Sequence, residues 1–312
     1  MVVETSQPLL VEGEARPFRS RAVRKLAWAV LRQPAAAVAF GVVALVFVVA
    51  IFAPWIAPDN PDAINVANSL ASPSLHHLLG TDTLGRDNLS RLVYGSRVAL
   101  EIALPSVLGA FAIGSVIGLV AGYFGGWADR VATVCFDTVI SFPAVILGLA
   151  LLTLLGPSTR SVILVVGLSL VPYYGRLTRA QTLSEAKNEY VKAERSLGAS
   201  RWRVLTRHIM PNALAPLLVV VAMDIPGAVA IEAGLAFLGL GVQPPTPDWG
   251  VMLNEGFVVI GTSPWTIVGP VAALILLTTA FTVLGETVRD TMDPRHYRTR
   301  RRRFAIRRRA VR

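Results

Sequence analysis

The sequence of 312 residues contains few charged residues and a single cysteine, and each shortage excludes a class of protein. Charged residues make up 16% of the chain and hydrophobic residues 53%, which is too apolar for an average soluble domain and is typical of a chain embedded in a bilayer. Cys135, being alone, cannot form an intramolecular disulfide, and its place at the start of an apolar run predicts a small core residue.

The sequence also lacks the patterns of common catalytic sites. It contains no Gly-x-x-x-x-Gly-Lys-Ser/Thr phosphate loop and no nucleophile paired with a base in a catalytic arrangement. We therefore predict that the chain is not an enzyme, cannot hydrolyse ATP by itself and holds no cofactor.

Long uncharged runs predict transmembrane helices, because a helix needs about 20 residues to cross the hydrocarbon core. Four runs pass this length, one is shorter, and one is interrupted by two acidic residues. The sequence predicts an all-α polytopic membrane protein with six spans, at residues 33–58, 98–123, 131–155, 161–175, 213–242 and 265–288.

The distribution of Lys and Arg predicts the orientation of these spans. With a cytoplasmic N-terminus, 26 of the 30 basic residues face the cytoplasm, as the positive-inside rule requires. Both termini are predicted to be cytoplasmic, with basic tails at 1–33 and 293–312 that lie against anionic lipid and do not bind nucleic acid. Between them we expect the first span with an external segment (34–97) and a core of five helices (98–292).

The first connecting segment (residues 59–97), predicted to be external, combines metal-ligand residue types with turn-forming ones. Its candidate metal ligands are His76, His77, Asp82 and Asp87. The glycine-containing steps at 80–82 and 85–87 are more typical of turns and of a cap for an amphipathic helix at 89–98. We therefore predict no metal site.

A charged segment at 183–212 separates the apolar runs of the second half. Its apolar residues recur at the spacing of one helix face: Leu183, Ala186, Tyr190, Ala193 and Leu197. Gly198 suits a left-handed helix end, Ser200 can cap a second helix, and Pro211 is expected to end it. Two short helices meeting at a glycine predict a stiff docking element, the alternative being an ordinary helical loop.

Two acids and a proline lie within the predicted spans. Asp224 and Glu232, eight residues apart on one predicted helix, lie about 12 Å apart along its axis. Such a pair serves either a proton relay or ion site, or polar packing between helices. Pro143 is expected to kink its span, which suits a pathway-lining segment and equally a plain packing kink.

Four motifs follow one another along the chain: LGTDTLGRDNLSRLVYGSR, DTVISFPAV, EYVKAERSLGAS followed by HIMPN, and EAGLAFLGLGVQPPTPDWG. In this order they resemble the motifs of ABC importer permeases, most closely the C-type subunit of the oligopeptide, dipeptide and nickel importers. One departure is that Lys192-Ala193-Glu194 stands where the family has Glu-Ala-Ala. The resemblance implies the type I importer fold in a prokaryotic plasma membrane.

The same resemblance implies roles for particular residues. Coupling to an ATPase falls to Glu189, Tyr190, Ala193, Glu194, Gly198, Ala199, Ser200, Ile209 and Pro211. The external signature, with possible contact to a binding protein, comprises Gly80, Asp82, Gly85, Arg86, Asp87, Pro244, Pro245 and Trp249. Possible pathway residues are Phe142, Pro143, Asp224 and Glu232. The acid that pairs with an ATPase arginine is either Glu189 or Glu194.

The resemblance further implies a complex with a homologous second permease, two ATPase subunits that carry ATP and Mg, and an extracytoplasmic substrate-binding protein. The expected function is import of dipeptides or oligopeptides, with nickel or another small solute as the alternative within the group. An ion-coupled transporter using Asp224 and Glu232, or a scaffold that transports nothing, are the alternatives from other classes.

Overall fold

The computed structural model describes residues 33–292, which form helices and no β-strand, with one long connection at residues 57–87. Within this range, five helices are long and apolar enough to cross a membrane, and a bent pair makes a sixth span. This confirms the predicted all-α fold with six spans, while both basic tails lie outside the described residues. The helices are α1 (Pro34–Ile51), α2 (Ala53–Ile56), α3 (Asn88–Phe124), α4 (Gly126–Ile140), α5 (Ala144–Leu155), α6 (Thr159–Glu185), α7 (Glu189–Ser196), α8 (Arg201–Arg203), α9 (Met210–Leu214), α10 (Leu217–Met223), α11 (Ile225–Phe237), α12 (Trp249–Val258) and α13 (Trp265–Met292).

Among the described residues, the most extensive helix–helix contact joins α3 to α6, and it is made through small residues. A side chain at Gly114, Gly118 or Gly122 of α3 would come within 2.9 Å of backbone atoms of α6. The absence of side chains lets the two backbones approach closely, as in other membrane helix pairs. Ser115 Oγ and Thr178 Oγ1 add a hydrogen bond of 3.1 Å across the contact.

The helix α3 is longer than predicted, because the amphipathic helix expected at 89–98 and the second span are one continuous helix of 37 residues. Asp87 begins it by accepting a hydrogen bond of 2.7 Å from the Ser90 amide. The cap at Asp87 starts the helix, which then continues through Pro105 with no break between the interfacial and membrane portions.

The third span is broken rather than kinked. Helices α4 and α5 meet at an angle of 90° at residues 141–143. Pro143 lacks an amide hydrogen and disfavours a helical conformation in Phe142, so α4 ends before it and α5 begins after it. The prediction that Cys135 is a core residue is wrong: it is exposed, and α4 buries only Ala132 and Phe136.

The fifth span is also divided, into α10 and α11, with Asp224 at the junction. The sequence did not predict the ten-residue helix α12, which begins after Asp248 and packs against α11 and α13. Before α12, the Pro244–Pro245 peptide bond is cis.

Candidate functional site: a helical knob and a buried ion network

The residues 189–212 form a compact element that we call the helical knob. Its first arm is α7, and its second arm runs through α8, a π-helical turn at Val204–Ile209 and α9. The predicted apolar face is wrong in part, because the helix breaks after Glu185 and restarts at Glu189. The restart turns Val191 inward, whereas Leu183, Tyr190 and Leu197 are exposed.

Gly198 makes the bend between the two arms, as predicted. Its φ is +82°, a left-handed conformation that favours glycine. The Gly198 amide donates to Arg195 O at 3.1 Å and the Ala199 amide to Glu194 O at 3.1 Å, which is the Schellman ending of a helix. Ser200 then caps the second arm by accepting from the Arg203 amide at 3.4 Å.

The second arm does not end at Pro211, contrary to prediction. Pro211 lies in the first turn of α9, where an amide hydrogen is not needed, and the helix continues to Leu214. A small core fixes this arm against the first arm and against the end of α3. It consists of Leu119, Val191, Val204, Leu205, Ile209 and Ala213.

Tyr190 braces the two arms from outside this core. Its hydroxyl donates to Glu185 at 2.8 Å and accepts from Asn212 Nδ2 at 3.3 Å. Burial, followed by the hydrogen bond to Glu185, raises the pKa of Tyr190, so the hydroxyl remains a donor throughout the physiological range. The knob is therefore held by packing and by hydrogen bonds, and it can move as one body.

The outer surface of the knob is apolar beside the bend. The side chain of Leu197 is 83% exposed and that of Trp202 is 60% exposed. The two candidate acids differ: the Glu189 carboxylate is 87% exposed beside Lys192 Nζ at 2.7 Å, whereas Glu194 is 36% exposed and lies 3.8 Å from His208 Nε2. An exposed apolar pair on a rigid support is typical of a docking surface.

The second feature is a buried ion network, which residues of the first sequence signature form with α12. Arg86 donates to Asp82 Oδ2 at 2.6 Å and to Glu255 Oε1 at 3.0 Å. Arg91 donates to Glu255 Oε2 at 2.9 Å, and its Nη1 lies 3.2 Å from Asp82 Oδ2. The network joins the first connecting segment to α12, and sequence reasoning missed both Glu255 and the role of Arg91.

The residues of the external signature are buried rather than presented at the surface. This holds for Gly80, Asp82, Gly85, Arg86, Asp87 and Trp249, whereas Pro244 and Pro245 are exposed. Trp249 donates its Nε1 hydrogen to Leu92 O at 3.0 Å. Both Gly80 and Gly85 have positive φ, and a side chain at Gly85 would come within 1.8 Å of Asn65 O. These residues shape the segment and tie it to α3 and α12.

The candidate metal ligands are only partly brought together. Donor atoms of Asp59, His77 and Asp87 lie within 4.8 Å of one another, whereas His76 is exposed and Asp82 belongs to the ion network. His77 Nδ1 and Asp87 Oδ1 share a hydrogen bond of 3.0 Å, and Asp87 Oδ2 caps α3. Capping and hydrogen bonding account for this arrangement, so the absence of a metal site stays a prediction.

The two acids of the fifth span have separate partners. Asp224 Oδ2 accepts a hydrogen bond of 2.9 Å from Tyr174 Oη on α6. Glu232 is fully buried, and neither of its oxygens accepts a hydrogen bond from the described residues. Phe142 and Pro143 lie exposed at the bend between α4 and α5. Of the four predicted pathway residues, Phe142, Pro143 and Asp224 are therefore at least partly accessible, whereas Glu232 is not.

Comparison with known families identifies the chain. Residues 114–296, more than half of the sequence, match the family described as binding-protein-dependent transport system inner membrane component. The chain belongs to this family. Residues 24–73 match the N-terminal transmembrane domain of oligopeptide transport permease C, which places the protein in the C-type group of ABC permeases. It is therefore a multi-pass inner membrane permease, a transport subunit and not a catalytic enzyme.

Similar proteins cover most of this chain. It is 37% identical to the dipeptide transport system permease protein DppC of Alkalihalophilus pseudofirmus over 79% of this chain and 81% of the relative. It is 36% identical to the probable D,D-dipeptide transport system permease protein DdpC of Escherichia coli K12, over 87% and 91%. It is 40% identical to the glutathione transport system permease protein GsiD of Escherichia coli O1:K1, over 85% and 88%.

Proposed function

We propose that this permease imports dipeptides or oligopeptides, driven by ATP, together with a homologous second permease, two ATPase subunits and an extracytoplasmic binding protein. The relatives named above are described as permeases for dipeptides, D,D-dipeptides and glutathione, which are all peptide-type solutes. The observation that carries the proposal is the helical knob, whose exposed Leu197 and Trp202 offer a surface for an ATPase.

The knob passes ATPase movement to the membrane helices through its core. Leu119 belongs to α3, so the packing of Val191 and Ile209 around it joins the knob directly to the helix that also carries the close contact with α6. A displacement of the knob therefore moves α3 and α6 together. Closure of the ATPases on ATP would in this way open the permease outward.

Glu189 is the acid that we assign to an ATPase arginine. Its carboxylate is almost fully exposed and is held only by Lys192 on the same surface of α7. Glu194 is less exposed and faces His208 of the second arm, which suits a contact within the knob. The pair with Lys192 is at the surface and contributes little to stability, so the Glu189 carboxylate can exchange it for a bidentate pair with an arginine at small cost.

The transport pathway would run past the break between α4 and α5. Phe142 and Pro143 are exposed there, and Asp224 lies half-buried at the junction of α10 and α11. A carboxylate within a membrane span carries a large desolvation cost, which makes it a candidate functional residue. The amino group of a peptide is a suitable ligand for it. Glu232 is fully buried, so we do not assign it to the substrate.

The outward and inward faces follow from the same reasoning. The knob and residues 176–207 carry many basic residues, which supports a cytoplasmic position and hence cytoplasmic termini. The first connecting segment and residues 244–247 then face outward, where the exposed Pro244 and Pro245 can contact the binding protein. ATP and Mg would be bound by the ATPases and not by this chain.

The test is purification of the tagged chain with its partners in mild detergent, followed by reconstitution and uptake of a labelled dipeptide. We expect ATP-dependent uptake and a vanadate-sensitive ATPase activity. The variant Gly198→Val is expected to keep ATP hydrolysis while losing most of the uptake, since a β-branched residue disfavours the left-handed bend. Gly156→Val is the matched control, because Gly156 has a φ of +79° and lies outside the knob.

Three results would contradict the proposal. One is a chain that purifies alone without associated ATPase, and another is uptake that depends on an ion gradient instead of ATP. The third is equal loss of uptake in the Gly198 and Gly156 variants, which would assign the effect to backbone strain and not to coupling.

A further inference from the structure

Two acidic side chains face each other where α12 packs on α11. Glu232 lies on α11 and Asp248 immediately precedes α12, and both are fully buried. The first turn of α12 lies directly on α11, since a side chain at Gly250 would come within 2.3 Å of Ala233 O. Ala233 follows Glu232 directly and Gly250 lies two residues after Asp248, so this close packing brings the two carboxyl groups into the same buried region.

The hydrogen-bonding capacity of this pair is largely unused. Asp248 Oδ1 accepts from the Gly250 amide at 2.7 Å and from the Val251 amide at 3.0 Å. Among the side chains and backbone groups that the structure describes, none donates a hydrogen bond to Asp248 Oδ2 or to either oxygen of Glu232. Three carboxyl oxygens thus point into a site that holds no donor from the rest of the described chain.

No basic side chain neutralises the pair within the described range. The helices packed against α11 are α3, α5, α6, α10, α12 and α13, and among the side chains described none of their basic groups forms an ion pair or hydrogen bond with Glu232. Titratable side chains on these helices have other partners or are exposed. Arg91 of α3 pairs with Glu255, Tyr174 of α6 donates to Asp224, and Glu286 of α13 is exposed.

Two ionised carboxylates cannot face each other in a buried site without a counter-charge, and the smallest one is a proton. We propose that Glu232 and Asp248 form a proton-binding site, in which Glu232 carries the proton and donates it to Oδ2 of Asp248. Asp248 Oδ1 already accepts from two amides at the start of α12, which leaves Oδ2 as the oxygen that can accept the hydrogen bond from Glu232.

The shared proton also has a mechanical consequence. It closes a hydrogen bond between α11 and the start of α12, and α12 in turn holds Glu255 of the ion network. Removal of the proton leaves two buried negative charges that repel, which separates α12 from α11. This site differs from the pairing of Glu232 with Asp224 that the sequence suggested.

Infrared spectroscopy of the full-length chain in a detergent without ester groups tests the site directly. At neutral pH we expect the carbonyl absorption of a protonated carboxylic acid, shifted in deuterated water, and its loss in Glu232→Gln. In Asp248→Asn, where asparagine still caps α12, the absorption is expected to remain and to shift, since the acceptor changes from carboxylate to amide. Glu101→Gln, at an exposed acid of α3, is the matched control and should leave it unchanged.

Two spectroscopic results would overturn the proposal. Persistence of the absorption in Glu232→Gln would assign the proton to another residue. Absence of the absorption in the wild type, with its appearance only after metal ions are removed by a chelator, would show that a metal cation and not a proton occupies the site.

Thermal unfolding as a function of pH gives an independent measurement. The folded protein binds one proton that the unfolded chain releases above the ordinary range of glutamate, so stability falls as pH rises. We expect the unfolding temperature of the wild type to fall between neutral and alkaline pH by several degrees more than that of Glu232→Gln. Equal slopes in the two proteins would contradict the site.

Discussion

The first connecting segment and the helical knob both carry dense sequence signatures, yet they place their charges in opposite ways. In the segment, Asp82 and Arg86 are buried and pair across the fold with Glu255. In the knob, Glu189 and Lys192 pair at the surface, beside an exposed Leu197. The first signature therefore encodes the protein's own packing, and the second encodes a surface for a partner.

The difference has an energetic basis. A buried charge that loses its partner retains the cost of leaving water, so substitutions in the segment act on folding. An exposed ion pair contributes little to stability, so substitutions in the knob act on association. Substitutions that change only the stability of the fold, or only the affinity for a partner, test the comparison.

The largest expected effect is that of Arg91→Met. It leaves Glu255 and Asp82 with fewer cationic partners in a buried place, which should lower the free energy of unfolding by about 3–5 kcal/mol. Denaturant unfolding in detergent micelles measures this. Arg201→Met, at an exposed arginine of the knob, is the control and should cost less than about 1 kcal/mol. Similar losses in both variants would contradict the distinction.

A smaller effect is expected for Gly85→Ala. The left-handed backbone at Gly85 costs about 1–2 kcal/mol for any other residue. The clash of the new methyl group with Asn65 O adds about 1–3 kcal/mol. Gly125→Ala isolates the first cost, since Gly125 has a φ of +65° and no neighbouring atom within 4 Å. If the two variants unfold at the same temperature, the segment is looser than its packing indicates.

On the knob, Leu197→Ala combined with Trp202→Ala should weaken ATPase binding without changing the unfolding temperature. Exposed anchors of this kind typically contribute about 2 kcal/mol to an interface, or roughly 30-fold in affinity. Affinity for the isolated ATPase subunit is the measurement. Trp127→Ala provides the control, because Trp127 is more exposed than Trp202 but lies outside the knob. Equal weakening by the control would place the docking surface elsewhere.

Local chemistry explains which features the sequence predicted. The bend at Gly198 and the cap at Ser200 depend on residues within one turn, and both were correct. Glu255 was missed because its partners Arg86 and Arg91 are more than 160 residues away, and no local pattern links them. The predicted apolar face of α7 was wrong because the helix restarts at Glu189. The restart rotates the later residues relative to Leu183 and Ala186, and residue spacing alone does not give the size of that rotation.

The smallest effect distinguishes the two acids of the knob. Glu189→Lys places a positive charge where we assign an arginine contact, and we expect ATPase affinity to fall several-fold, more so at low salt because the site is exposed. Glu194→Lys should change affinity less, and it should instead loosen the contact with His208. ATPase affinity measured for both variants at two salt concentrations separates these outcomes. A larger, salt-dependent loss in Glu194→Lys would assign the contact to Glu194 and would mean that its side chain leaves His208 when the partner binds.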